Sequence, residues 1–212
     1  MLFYEIFRWI GVITGYPFKW LFFKTKIYYE NERATRRVKG GALVISNHFS
    51  PFDYVQNCFV FFPRKLYVVS TEEPFKNPIV RFAFSKFWGG IEANRTTMSM
   101  RFGSQSIKEL KKGNLVQIFP EGHNTPDGTI KEFYPSYLLI AYRGGVPMIP
   151  VVTDGNYGFF KRAHLMIGEP INLCDYLPEK ARTSDIEGIN EVIRQRVLDL
   201  KAELELRKAR TK

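Results

Sequence analysis

Cysteine is nearly absent from this chain. Cys58 and Cys174 are the only two in 212 residues, and neither lies in a metal-ligand spacing. Two such residues make no disulfide framework. That excludes the disulfide-stapled secreted classes and fits a reducing, cytoplasmic setting, with both thiols read as small core residues. Long apolar runs are missing too. The uncharged stretch from Trp9 to Phe18 is far shorter than the about 20 residues needed to span a bilayer. No basic region precedes it and no small-residue cleavage site follows, so it does not read as a cleaved signal peptide. The chain also lacks internal repeats, low-complexity linkers and the Gly-x-Ser-x-Gly elbow of acyl-serine hydrolases. Acidic residues are few: 21 Asp and Glu against 31 Lys and Arg give a formal net charge of +10. Such a balance calls for an anionic partner, whether nucleic acid, acidic lipid or a phosphorylated substrate.

What is abundant is aromatic and sits at the N-terminus. Residues 1–29 hold a third of the chain's aromatics, with Glu5, Arg8, Lys19, Lys24 and Lys26 set among them. This mixture suits helices lying in the headgroup region of an anionic membrane surface, with Tyr16-Pro17 breaking the segment into two helices. The alternative is an apolar helix pair packed on the rest of the protein. Single-stranded nucleic acid is the poorer partner: the aromatics do not alternate along a basic sheet, and no RNP, KH or helix-turn-helix signature is present.

From Gly41 onward short β-branched runs alternate with helical stretches. Strands are expected at Ala42–Ser46, Leu66–Ser70, Gly90–Ala93, Leu115–Phe119, Met148–Thr153 and His164–Ile167. Helices are expected after Ser50, from Asn77-Pro78, near Ser99–Lys112, across Tyr134–Arg143, and from a capping box at Ser184 onward. The pattern predicts one α/β domain over residues 35–212, with a mostly parallel central sheet flanked by helices. Residues 1–34 form a preceding membrane-docking helical segment. Functional loops of such a fold lie at the carboxyl ends of the strands.

Two motifs fall at such ends. In Asn47-His48-Phe49-Ser50-Pro51-Phe52-Asp53 a carboxylate follows a histidine by five positions. On one straight helix those side chains would point roughly 140° apart, so the chain must turn between them. Ser50 as N-cap and Pro51 as N1 supply the turn and put Asp53 at N3, facing back toward His48. Such a pair can fix the imidazole tautomer and stabilise the imidazolium formed on proton abstraction. Asp53 could instead be only a capping acid. The second motif is Phe119-Pro120-Glu121-Gly122, where the strand ends at a proline and the glycine permits close backbone approach.

Together, in this order, these blocks resemble the glycerolipid acyltransferases, and most of all the bacterial 1-acylglycerol-3-phosphate (lysophosphatidate) acyltransferases. Gly89-Gly90-Ile91-Glu92-Ala93-Asn94-Arg95 is similar to the family's glycine-to-arginine block, and Val146-Pro147-Met148-Ile149-Pro150-Val151 to its last proline-containing strand. The resemblance implies acyl transfer from acyl-carrier protein or acyl-CoA to a lysophospholipid hydroxyl, directly, with no cofactor and no metal. His48 would be the general base and Asp53 its partner. Arg95 would bind the acceptor's phosphate, with Asn47, Ser50, Gly89, Glu121 and Gly122 shaping the acceptor site. A peripheral protein on the cytoplasmic face of the membrane is implied as well.

Three departures from the family stand out. His123-Asn124-Thr125 replaces the usual Thr-Arg-Ser, so Asn124 stands where a phosphate-clamping arginine is expected. Phe133-Tyr134-Pro135-Ser136 replaces Phe-Lys-x-Gly, and Glu92 stands where an aromatic is common. Either the acceptor is another lysolipid or lipid alcohol, or Lys131, Lys111 or Lys112 supplies the missing charge. His123 reads as a turn residue or a second acid/base group, and His164 as structural.

Overall fold

The run Ala42–Ser46 is buried at every position because it forms the middle of a sheet covered on both faces. The structure, a computed structural model, describes residues 2–93, 101–178 and 180–210. Its strands are β1 (Lys24–Tyr29), β2 (Ala42–Ser46), β3 (Leu66–Ser70), β4 (Gly90–Glu92), β5 (Leu115–Ile118), β6 (Met148–Thr153) and β7 (Arg162–Ile167). They lie in the order β1-β7-β6-β2-β5-β3-β4, and every neighbouring pair is parallel except β6 with β7. The helices are α1 (Leu2–Phe22), α2 (Phe52–Val60), α3 (Pro78–Ala83), α4 (Arg101–Lys111), α5 (Ser136–Gly144), α6 (Thr183–Gly188) and α7 (Asn190–Ala209).

Successive residues of β2 point to opposite faces, and each face has its own core. Leu43 and Ile45 pack with Leu110 of α4, Leu138 and Ile140 of α5, and Ile193, Val197 and Leu200 of α7. Ala42 and Val44 pack with Tyr54 and Val60 of α2 and with Leu115, Ile149 and Val151. Outside α2 lies α1, held by edge-to-face rings of Tyr16 on Phe59 and Trp9 on Phe62. No helix among the described residues is long and apolar enough to cross a membrane.

Several expectations need correction. The N-terminal segment is one helix, not two: Pro17 sits inside α1. A proline in a helix interior removes one hydrogen bond and costs about 3 kcal/mol. Pro17 and Ile13, whose carbonyl loses its partner, are both exposed, so solvent can reach the gap. Residues 24–29, expected within the helical segment, are instead the edge strand β1, parallel to β7. Thr25, Ile27, Tyr28 and Tyr29 suit a strand, and Lys24 and Lys26 protect its open edge. The C-terminal helix is split by Ile189 (φ −88°, ψ 0°) after Gly188. The Asp185 carboxylate accepts the N–H of Arg182, so the capping interaction begins two residues before Ser184. At Asn77 the cap forms as expected: its Oδ1 accepts from the N–H groups of Ile79 and Val80 at 2.9 and 3.2 Å.

Candidate active site

The neighbours β6, β2 and β5 run the same way, so their carboxyl ends open side by side. His48 leaves β2, Glu121 follows β5, and Thr153 ends β6. The turn after His48 falls one residue later than expected: Pro51, not Ser50, is the N-cap of α2, without a side-chain cap bond, and Asp53 is the second helical residue. Ser50 Oγ accepts the N–H of Phe52, and the Asp53 N–H donates to the carbonyl of Ser50 at 3.0 Å, although regular helix starts at Phe52.

Asp53 is fully buried and surrounded by donors. Its Oδ2 accepts His48 Nδ1 at 2.9 Å, Phe49 N–H at 2.7 Å and Ser50 N–H at 2.8 Å, and its Oδ1 accepts the Tyr157 hydroxyl at 2.5 Å. The capping role and the His-binding role thus fall on one oxygen. A carboxylate holding these donors only accepts, so Nδ1 carries the imidazole proton and Nε2 keeps its lone pair. Among the described residues nothing bonds to Nε2, and the ring is 18% exposed, enough to meet a ligand. Phe119 stacks on the imidazole with centroids 3.9 Å apart and planes 16° apart, which restrains ring rotation. Burial, then the charge of Asp53, pushes the Tyr157 phenol far above its ordinary range, so the hydroxyl stays protonated and donating.

Glu121 is also fully buried, but it binds backbone. Its Oε1 accepts the N–H of His48 at 3.1 Å and its Oε2 the N–H of Lys131 at 3.0 Å. Thr125 donates its N–H to the His48 carbonyl at 2.6 Å, completing a clamp on the peptide that carries the imidazole. Asn47 is spent in a similar way: Nδ2 donates to the Thr153 carbonyl and Oδ1 accepts the Thr153 N–H, tying β2 to β6. Gly122, at φ +69°, makes the turn after β5, and a Cβ there would press on the Tyr134 ring at 3.0 Å.

The structure therefore brings Asn47, His48, Ser50, Asp53, Glu121 and Gly122 together. Gly89 lies elsewhere. In the left-handed region at φ +74°, it precedes the edge strand β4, whose Gly90 pairs with Val68, the middle residue of β3. Its task is to turn the chain against Tyr67. Arg95, with Asn94, lies outside the described residues. The Lys131 side chain is exposed while its backbone is held by Glu121 and by Arg194, whose Nε donates to the Lys131 carbonyl. Lys111 and Lys112 end α4 just before β5 starts, at the opposite end of the sheet from His48, and Lys112 pairs with Glu109 at 2.7 Å. Neither can replace the missing clamp. Glu92 is paired with Arg81 of α3, so its charge is already met. His123 is exposed in the turn, and His164 stacks on Tyr28 and accepts or donates a bond to its hydroxyl, as a structural residue would. Sequence reasoning missed Tyr157, Phe119 and Thr125. Phe119 and Thr125 flank a motif already in view, but nothing local marks Tyr157.

A histidine with a free Nε2, fixed by a buried carboxylate, can take a proton from an alcohol. The chain matches the Acyltransferase family over residues 26–154, more than half its length. It belongs to that family. The stretch covered includes both motifs and every strand of the sheet from Lys26 to Thr153. This acyltransferase is 28% identical to a putative 1-acyl-sn-glycerol-3-phosphate acyltransferase of Caenorhabditis elegans, over 93% of the chain and 68% of that protein. It is 27% identical to the 1-acyl-sn-glycerol-3-phosphate acyltransferase of Bacillus subtilis, over 78% of the chain and 83% of the relative. Its fold is similar to the crystal structure of the 1-acyl-sn-glycerophosphate acyltransferase PlsC from Thermotoga maritima. The TM-score is 0.61 and the identity 25%, covering 94% of the chain and 78% of that structure.

Proposed function

We propose that this acyltransferase moves a fatty acyl chain from acyl-carrier protein or acyl-CoA to the free hydroxyl of 1-acylglycerol-3-phosphate, giving phosphatidic acid. The observation that carries the chemistry is the His48–Asp53 pair, with Nδ1 engaged and Nε2 left for substrate. Nε2 takes the hydroxyl proton as the oxygen attacks the thioester carbonyl carbon. The tetrahedral intermediate then collapses, the C–S bond breaks, and the departing thiolate takes the proton back from the imidazolium. A thioester is already activated, so the protein's main tasks are to position the alcohol and deprotonate it. No acyl-enzyme is needed. Of the two serines two positions from His48, Ser46 is buried and donates to the Asn47 carbonyl, and Ser50 Oγ accepts the Phe52 N–H.

The names of the relatives support the acceptor, and Arg95 and the exposed Lys131 are its proposed phosphate ligands. Asn124 and Tyr134, neither of them cationic, favour a second reading in which the acceptor is a lysolipid with a different head group. The exposed stripe Ile6, Trp9, Ile13, Tyr16 and Trp20 on α1 supports peripheral attachment to the cytoplasmic face of the membrane, through the docking segment 1–34. The anionic partner on this reading is lipid, not nucleic acid. The test offers acyl-carrier-protein and acyl-CoA donors to a panel of lysolipids. Fastest transfer to lysophosphatidate supports the first reading and preference for another head group the second. Release of free fatty acid without acylated product would overturn both.

A further inference from the structure

We propose that the turn Gly158–Lys161 is a second membrane-contacting element, which inserts Phe159 and Phe160 into an anionic bilayer beside the active site. The Phe160 side chain is 94% exposed and Phe159 59% exposed, so two adjacent aromatics are held out into water. Phe160 is also the only non-glycine with positive φ among the described residues, at +64°. That conformation is unfavourable for a residue with a Cβ, so the turn holds the ring out at a backbone cost, and the bare ring is itself disfavoured unless something outside the chain covers it.

The turn is fixed where a bilayer would meet it. Gly158 N–H donates to the carbonyl of Phe22 at the end of α1, and Lys161 N–H closes the turn onto the Gly158 carbonyl. The Phe159 ring lies 5.5 Å from Phe22, which in turn lies 5.3 Å from the half-exposed Phe52, the residue before Asp53. Phe22, at the end of α1, and Phe52 therefore lead from the tip toward the turn that carries Asp53. Tyr157, one residue before the turn, is the donor that holds Asp53, so the tip stands beside the catalytic pair.

Charge selects the occupant. Lys161 and Arg162 follow the tip and Lys24 follows the end of α1, with no acidic residue in Gly158–Arg162. A second copy of this chain would bring the same cations and a net charge of +10 against them. Anionic head groups above an apolar layer satisfy both features, since cations near such a surface and aromatics at its interface are each favourable. The inference rests on the reading of the acceptor as a lipid only for its purpose, which is to set the active-site mouth at the bilayer.

The test uses the full chain and the variant Phe160→Asn, since asparagine tolerates the left-handed region and the turn is kept. Sedimentation is measured with vesicles of phosphatidylcholine alone and of phosphatidylcholine with phosphatidylglycerol. Leu206→Ser serves as a control, an exposed apolar residue on α7 across the sheet. Loss of one buried phenyl ring should weaken binding to the anionic vesicles about tenfold or more. The control should bind as the wild type does. Transfer to a short-chain acceptor dispersed in solution should be the same in both variants and the wild type. Anionic-vesicle binding by Phe160→Asn equal to wild type overturns the proposal, as does a wild-type dimer that this substitution dissolves. Failure of the wild type to acylate the soluble acceptor would count against the proposed acceptor, while the vesicle result still decides the tip.

Discussion

Two buried carboxylates stand at the carboxyl end of the same sheet, one on each side of His48, and their surroundings differ. Asp53, at the start of α2, meets the imidazole ring itself, two backbone N–H groups and a phenol. Glu121, after β5, meets only the backbone N–H groups of His48 and Lys131 and, more distantly, the Thr125 hydroxyl. Both are completely shielded from solvent, and a charge without partners would not survive there. On the proposed mechanism Asp53 acts on the electrostatics of the imidazole, whereas Glu121 acts on where the peptide carrying it sits. Burial alone does not separate a catalytic carboxylate from a positioning one. The atoms it binds do.

That difference can be broken by substitution. Asp53→Asn is the most severe test, because it removes the charge and keeps the shape. The amide oxygen can take over the three donors at the Oδ2 position, and its NH2 can donate to Tyr157, whose proton can turn to Gln56 Oε1 at 2.9 Å. The expected outcome is a fold close to wild type by circular dichroism and a fall of about 10³-fold in kcat. Glu121→Ala should show the opposite balance. It leaves two buried N–H groups without an acceptor, each worth about 1–3 kcal/mol of stability, so denaturant unfolding should move to lower concentration. Its loss of kcat should be nearer tenfold. If Glu121→Ala abolished turnover with stability unchanged, or Asp53→Asn unfolded the chain with little loss of turnover, the contrast would be reversed. Tyr157→Phe should have the smallest effect, a few-fold loss of kcat. Its signature is a loss of kcat with the unfolding midpoint near wild type, because the Phe49 and Ser50 N–H groups still hold the Asp53 carboxylate in place. A merely structural Tyr157 would lower stability and leave kcat unchanged.

The parts of the fold and site that depend on local pattern were legible in the sequence. The runs Ala42–Ser46, Leu66–Ser70 and Met148–Thr153 are strands with the expected bounds; in the first and last, continuous burial leaves a continuous apolar signal. The His48–Asp53 contact was readable because Ser50 and Pro51 dictate the turn between the two. Strand β1 was not, because an edge strand needs little apolar content and Lys24-Thr25-Lys26 continues the mixture that precedes it. The straight passage of α1 through Pro17 depends on tertiary packing that outweighs local propensity. Tyr157 reaches Asp53 across 104 positions, only because β6 lies beside β2. The partners of Glu121 were hidden for a related reason: its side chain turns inward to backbone that no motif reveals.

The central claim is that Nε2 of His48, aimed by Asp53, removes the acceptor's proton. Its most direct test is single-turnover transfer from a saturating acyl donor by His48→Ala, with donor binding and unfolding measured in parallel. The account expects the transfer step to slow by about 10²–10⁴-fold while donor affinity and stability stay near wild type. Transfer at the wild-type rate would contradict it.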